Sequence, residues 1–262
     1  MMATSNFCNS RELKIVSYNL HGFNQGYFTV DELISSIDPD VFLCQEHWLT
    51  PANLHKFADH YGSYFAFGST AMSTLVEAGI LRGRPFGGLM CLIKNDLRNQ
   101  IQPIHSDERF VVLRVANILL FNVYLPCVGT PNRLLTCQHI FEELWCLRER
   151  YIDCECIIAG DFNADLNSCV DDVAKYVNSF ISTNGLSRCD DLSPYRGQPT
   201  YINLALIVLH RDSKKGATIT MAITCQFLID LQNSFTAAKS TKFPTKHVLG
   251  YLLTVEQRIC NV

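Results

Sequence analysis

The chain has 262 residues, 48% apolar and 18% charged, which excludes global disorder and leaves enough apolar material for one well-buried core. Its longest unbroken candidate for a membrane segment, residues 204–209, falls far short of the roughly 18 apolar residues a spanning helix needs. The net charge is −3 but unevenly spread, with 15 Lys and Arg against 22 Asp and Glu in residues 1–202 and 7 against 3 in residues 203–262. That distribution argues against a broad basic nucleic-acid face, though not against an acidic nest for a cation.

The N-terminus has no charged stretch followed by an apolar one, so the expectation is an intracellular protein without a secretory signal. Twelve cysteines would imply a disulfide framework only in a secreted chain. Cys44 and Cys91 lie in apolar runs as small hydrophobes. Cys154 and Cys156 have no second pair at zinc-finger spacing.

In chain order, residues 13–18 read as a strand and 30–37 as a short helix stopped by Asp38-Pro39. Residues 41–45 form a continuous apolar run ending in a polar residue, as a buried strand should. Thr50-Pro51 offers an N-cap and a proline at the first helical position, which predicts a helix to about His60. Residues 64–67, 88–93, 110–115 and 118–125 are rich in β-branched and aromatic types and read as strands. Residues 132–151 carry apolar side chains at helical spacing. A buried strand over 156–159 and a second long helix over 170–181 follow. Strands joined partly by helices and partly by hairpins imply mixed sheets, and periodicity does not choose between one sheet and two.

Four segments place polar residues at the C-terminal end of an apolar strand: IVSYNLHG with Asn19, VFLCQEHW with Glu46, ILLFNVYLP with Asn122 and Tyr124, and CIIAGDFNAD with Asp161, Asn163 and Asp165. Each alone has an ordinary reading, as a solvated rim carboxylate, a turn former or a core tyrosine. Four together are much less ordinary, because sites gather beyond strand C-termini in α/β sheets. The residue types suit phosphoryl chemistry. Mg²⁺ takes hard oxygen ligands and keeps several waters, so one or two carboxylates suffice, and Glu46 can supply one. Asp161 is placed to orient or deprotonate a water. Asn19 and Asn163 can donate amide hydrogens to a phosphate, and Tyr124 a hydroxyl, without adding negative charge.

The ordered set SYN, QE, NVYLP and GDFN resembles the endonuclease/exonuclease/phosphatase superfamily over about residues 13–203. Within it, QEHWLT, GRPFGGLMCLIKN and QPTYIN are similar to endonuclease domains of LINE-type, non-LTR retrotransposons. The resemblance implies an α/β fold, a four-layer sandwich of two mixed sheets face to face with helices outside. It implies Mg²⁺ or Mn²⁺ dependence and nicking of DNA, with a reverse transcriptase domain in a longer parent protein and a nuclear destination. Carried over by position, Asn19 and Glu46 hold metal, while Tyr124, Asp161 and Asn163 are catalytic. Arg82, Arg84, Asn122, Tyr201 and Asn203 bind substrate.

The pattern then breaks. The family closes with Ser-Asp-His, and no Asp-His follows residue 203 in these 262 residues. Matching the TKH ending at His247 puts Lys246 where a carboxylate belongs, a cation beside a cation site. Hence residues 11–203 are expected to form the domain body and 204–262 a divergent, basic tail with a degenerate closing part. Weak or absent nicking follows, with a non-catalytic nucleic-acid-binding remnant, or a phosphohydrolase of lipid or inositol phosphates, as the competing readings.

Overall fold

The computed structural model describes residues 9–80, 83, 85–188, 204–209, 222–227 and 250–259. Each half of the chain opens with a strand, helix, parallel strand unit. In the first, β1 (Asn9–Asn19) leads through α1 (Phe23–Ile37) to β2 (Val41–Gln45), and β1 and β2 pair in parallel with Asn19 opposite Gln45. In the second, β7 (Ile118–Tyr124) leads through α4 (Arg133–Arg150) to β8 (Glu155–Asp161), again in parallel, with Tyr124 opposite Asp161.

The remaining elements extend these pairs. They are α2 (Lys56–His60), β3 (Tyr64–Ser69), α3 (Ser73–Glu77), β4 (Leu89–Lys94), β5 (Ile101–Ser106), β6 (Phe110–Val115), α5 (Asp172–Thr183), β9 (Leu186–Arg188), β10 (Leu204–Leu209), β11 (Ala222–Phe227) and β12 (Gly250–Ile259). One sheet has the order β11-β12-β1-β2-β4-β3 and the other β5-β6-β7-β8-β10-β9. Every neighbour pair except the two parallel ones is antiparallel. The segment after residue 203 supplies three described strands, with β12 along β1 and β10 along β8.

Side-chain alternation divides the core into three sets. Leu13, Ile15, Val41, Leu43, Leu120, Ile157 and Ala159 meet between the sheets. The opposite faces of the same strands, Val16, Phe42 and Cys44, pack under α1 and α2 with Phe23, Val30, Leu33 and Phe57. Phe121, Val123, Cys156 and Ile158 pack under α4 and α5. This is the four-layer sandwich that the family resemblance implies. It also explains why the central strands read as continuous apolar runs, since both of their faces are buried.

The sequence reading did not name α3 or β9 to β12, and three further elements differ from it. Helix α1 begins at Phe23 rather than at 30, because the Gly22 carbonyl already accepts the Gly26 amide at 2.9 Å. After Thr50 the chain makes only a 3₁₀ turn before the five-residue α2, and Thr50 makes no side-chain cap. β5 was not legible, because its half-exposed IQPIHS carries a proline and a register shift at Pro103/His105.

Polar atoms also cross between the sheets. The Gln45 amide nitrogen donates to Asn122 Oδ1 at 2.7 Å and to Ser17 Oγ at 3.1 Å. Asn122 Nδ2 donates back to the Cys44 and Met90 carbonyls at 3.1 and 3.2 Å. Replacing Asn122 by Leu would leave Gln45 and two carbonyls buried without this partner. We expect Asn122→Leu to lower unfolding stability by about 2–4 kcal/mol, read from the urea midpoint at constant slope. A loss below about 0.5 kcal/mol would show that the amide pair does not hold the sheets.

Candidate active site

The inward-facing residues at the C-terminal ends of the two parallel pairs are Asn19, Gln45, Tyr124 and Asp161, and Glu46 follows Gln45 directly. The sandwich brings these ends together. Asn19 Nδ2 donates to Asp161 Oδ2 at 2.7 Å, across 142 residues of sequence. The Asn19 Oδ1 accepts the His21 amide at 2.9 Å, so the side chain is oriented from both ends.

Asp161 is 2% exposed. Its other carboxylate oxygen accepts the Asn163 amide at 2.9 Å. Burial lifts its pKa from 3.8 to about 7, the hydrogen bonds from Asn163 and Asn19 pull it down, and the nearby Glu46 adds a further push upward. Tyr124 is buried, hydrogen bonds with Glu46 and feels the charges of both Glu46 and Asp161; burial first, then Glu46, raises its pKa far above the ordinary phenol value. Tyr124 is therefore a neutral donor at every physiological pH. Glu46, Asp161 and Tyr124 thus act on one small volume.

Glu46 leaves its strand in the left-handed region, with φ at 54°. The turn is pinned on all sides. Glu46 and His47 carbonyls accept the Gly22 and Phe23 amides at 2.7 and 2.9 Å. The fully buried His47 accepts the Leu49 amide at Nδ1 (3.0 Å), so the proton sits on Nε2 and is donated to the Ser69 carbonyl at 2.9 Å. Burial lowers the His47 pKa to about 4, which keeps this tautomer neutral. Gly88 lies flat on the His47 ring: a Cβ there would stand 2.4 Å from the ring, at a φ of +87°. Gly160 plays the same part in the other sheet, where a Cβ would meet the Val123 carbonyl at 2.0 Å. His21 Nδ1 lies 3.5 Å from Glu46 Oε2 at the open rim.

Asn163 also turns through the left-handed region, with φ at 46°. Its Nδ2 donates to the Leu125 carbonyl at 2.9 Å. Asn122, read from sequence as a substrate contact, is not one: it is 0% exposed, and its amide faces the opposite sheet. Alternation explains the difference, because Asn122 shares the inward face of β7 with Tyr124 but sits one full step deeper. Arg82, Arg84, Tyr201 and Asn203 lie outside the described residues. Gln45 and His47 were not singled out by sequence. A Gln closing a wholly apolar run was the available signal for the first.

Among the described residues no group of three or more His, Cys, Asp and Glu is gathered for a metal ion. The donor set here is two carboxylates and an amide oxygen. That is too few for a closed zinc site but suits Mg²⁺ or Mn²⁺, which keep waters and take substrate oxygens. The chemistry of this donor set favours such an ion: all are hard oxygens, and Glu46 adds to the upward push on the buried Asp161 carboxyl, which a cation beside them would offset.

The sequence profile of the Endonuclease/Exonuclease/phosphatase family matches residues 16–168, and the chain belongs to that family. Solved structures share its fold. An AP endonuclease from Archaeoglobus fulgidus superposes with a TM-score of 0.60 at 14% identity, over 92% of this chain and 98% of that one. The 3′ phosphatase NExo from Neisseria, bound to a product DNA hairpin, gives 0.60 at 14% identity over 94% and 100%. TDP2 from D. rerio, complexed with a single-strand DNA product, gives 0.58 at 16% over 93% and 98%. No curated protein matches by sequence. No helix among the described residues is long and apolar enough to cross a membrane.

The raised Asp161 pKa has a measurable consequence. The folded state holds a proton that the unfolded state releases between pH 3.8 and about 7, so metal-free stability falls as pH rises through that window. Asp161→Asn removes the effect. In EDTA, the variant should gain on the wild type between pH 4 and 8, by at most about 4 kcal/mol in urea unfolding. Parallel pH profiles would contradict a buried, elevated carboxyl.

Proposed function

We propose that this chain is a divalent-metal-dependent DNA endonuclease of LINE-type retrotransposon origin, nicking one strand to leave a 3′ hydroxyl. The observation that carries this reading is the convergence of Glu46, Tyr124 and Asp161, with Asn19, at one end of both sheets. Glu46, with the amide oxygen of Asn19, would hold Mg²⁺ or Mn²⁺, which when bound supplies charge to the phosphate oxygens. Asp161, buried and oriented by two hydrogen bonds, is placed to take a proton from the attacking water. The neutral Tyr124 hydroxyl donates to the phosphate as charge grows there. Asn163 stands beside them as a further amide contact.

DNA as substrate rests on the motifs QEHWLT and GRPFGG, and the DNA-bound structures of NExo and TDP2 are consistent with it. Arg82, Arg84, Tyr201 and Asn203 are proposed substrate contacts by resemblance alone. So are a reverse transcriptase domain in a longer parent and a nuclear location. We read residues 11–203 as the catalytic body and 204–262 as a divergent, basic segment.

The missing Asp-His sets the expected rate. A positioned acid–base group contributes about 10²–10⁴-fold, so nicking should run at least about 100-fold below a relative that carries the pair. The assay is relaxation of supercoiled plasmid by purified chain in Mg²⁺, with EDTA and Glu46→Ala as controls. Slow nicking lost in both controls supports the reading. Salt-dependent DNA binding with no turnover would instead favour the non-catalytic remnant, which the missing pair also suits. Nicking that survives Glu46→Ala would sink the assignment.

A further inference from the structure

Two loops carry the second half of the site, one after β7 and one after β8, and a single side chain joins them. Arg133, at the start of α4, donates from Nε to the Pro126 carbonyl at 3.0 Å. From Nη2 it donates to the Asn163 carbonyl at 2.6 Å. Nη1 and Nη2 also reach Asp171 Oδ1 and Oδ2 at 2.9 and 3.3 Å. Pro126 is two residues past Tyr124, and Asn163 is two past Asp161. Asp171 in turn caps α5 by accepting the Val173 amide at 2.9 Å. The Arg133 side chain is 13% exposed, so its planar fork faces these acceptors and not solvent.

We infer that Arg133 is a positioning residue, which locks Asn163 and the Asp161 loop against the Tyr124 loop through its carbonyl contacts and its ion pair with Asp171. This rests on the function proposed above. The geometry asks for a guanidinium. Three nitrogens serve acceptors on three separate segments in one plane, whereas a lysine ammonium is a compact charge that cannot span them. The held residue is in a backbone conformation that non-glycine residues adopt sparingly, φ 46° at Asn163. Without the clamp that turn has an open route to relax. Asn163 would then carry its amide away from Asp161 and its side chain away from Leu125. Arg133 touches no reacting atom, so its loss should misplace groups without removing one.

The test uses Arg133→Met, Arg133→Lys and the milder Asp171→Asn in the full chain, each first shown to melt cooperatively above the assay temperature. Amide hydrogen exchange over residues 125–127 and 162–165 should rise about tenfold or more in Arg133→Met and less in Asp171→Asn, while β1 and β2 keep their protection. In plasmid nicking, kcat should fall roughly 10- to 100-fold with KM within about threefold, Arg133→Lys remaining close to Arg133→Met. Unchanged exchange in both loops would overturn the clamp. Faster exchange with unchanged kcat, or a loss borne mainly by KM, would overturn the positioning role. Should Arg133→Met fail to fold, Asp171→Asn decides by the same two readouts. If the wild type itself does not nick, the proposed function falls, and the exchange data alone decide whether the clamp exists.

Discussion

The structure turns on an amide pair buried where the two sheets face one another. Gln45 and Asn122 are both fully buried, 77 residues apart, and joined at 2.7 Å. Apolar side chains hold two sheets together but tolerate sliding, because dispersion and the hydrophobic effect have no direction. A hydrogen bond between neutral amides does have one, and its partners inside the core have no water to fall back on. The bond therefore fixes how far along each other the sheets sit. Glu46 is the next residue after Gln45, and Tyr124 is the next inward residue after Asn122. Setting one pair sets the other. Neutral amides serve better here than an ion pair, whose desolvation would consume much of what it contributed.

Toward the open end the same inward face changes character by steps. Leu43 and Leu120 give way to Gln45 and Asn122, and those to Glu46, Tyr124 and Asp161. The carboxylates of the site stand where the strands end and a cation or phosphate can reach them. Even there Asp161 is buried enough to be shifted. The groups that act chemically are few, and many more hold them. His47 and Gly88 secure the Glu46 turn, Gly160 lets β7 and β8 close at Tyr124 and Asp161, and Asn19 and the Asn163 amide aim the Asp161 carboxylate. The backbone is forced into left-handed turns at Glu46 and Asn163, beside the site, as strained residues often are.

Much of this was legible in the chain. The strands over 41–45 and 110–115 have the limits that their apolar runs suggested, and α4 and α5 fall within two residues of their expected ends at most termini. The polar residues ending four of these runs do face one site in three cases, Asn19, Tyr124 and Asp161, with Glu46 just beyond its strand. Asn122 escaped because a strand buried on both faces hides its alternation: Leu119 and Leu120 look alike in sequence while pointing to opposite layers. His47 was hidden for a different reason. Its partners, Ser69 and Gly88, lie on a distant strand and loop, so nothing within QEHW marks it as a buried, neutral support.

By itself the sequence determined the central strands and their order, about where they stop, and which oxygen and amide donors stand at those stops. Those follow from local propensity, apolar runs and turn residues, whose physics acts over a few positions. Only the tertiary structure decided that the stops belong to two different sheets facing each other. It also decided that Asn19 reaches Asp161, that Asn122 looks inward, and that a single arginine ties two loops. These depend on the direction of side chains across some ten ångströms of sandwich, a distance that chain order does not encode and packing must choose.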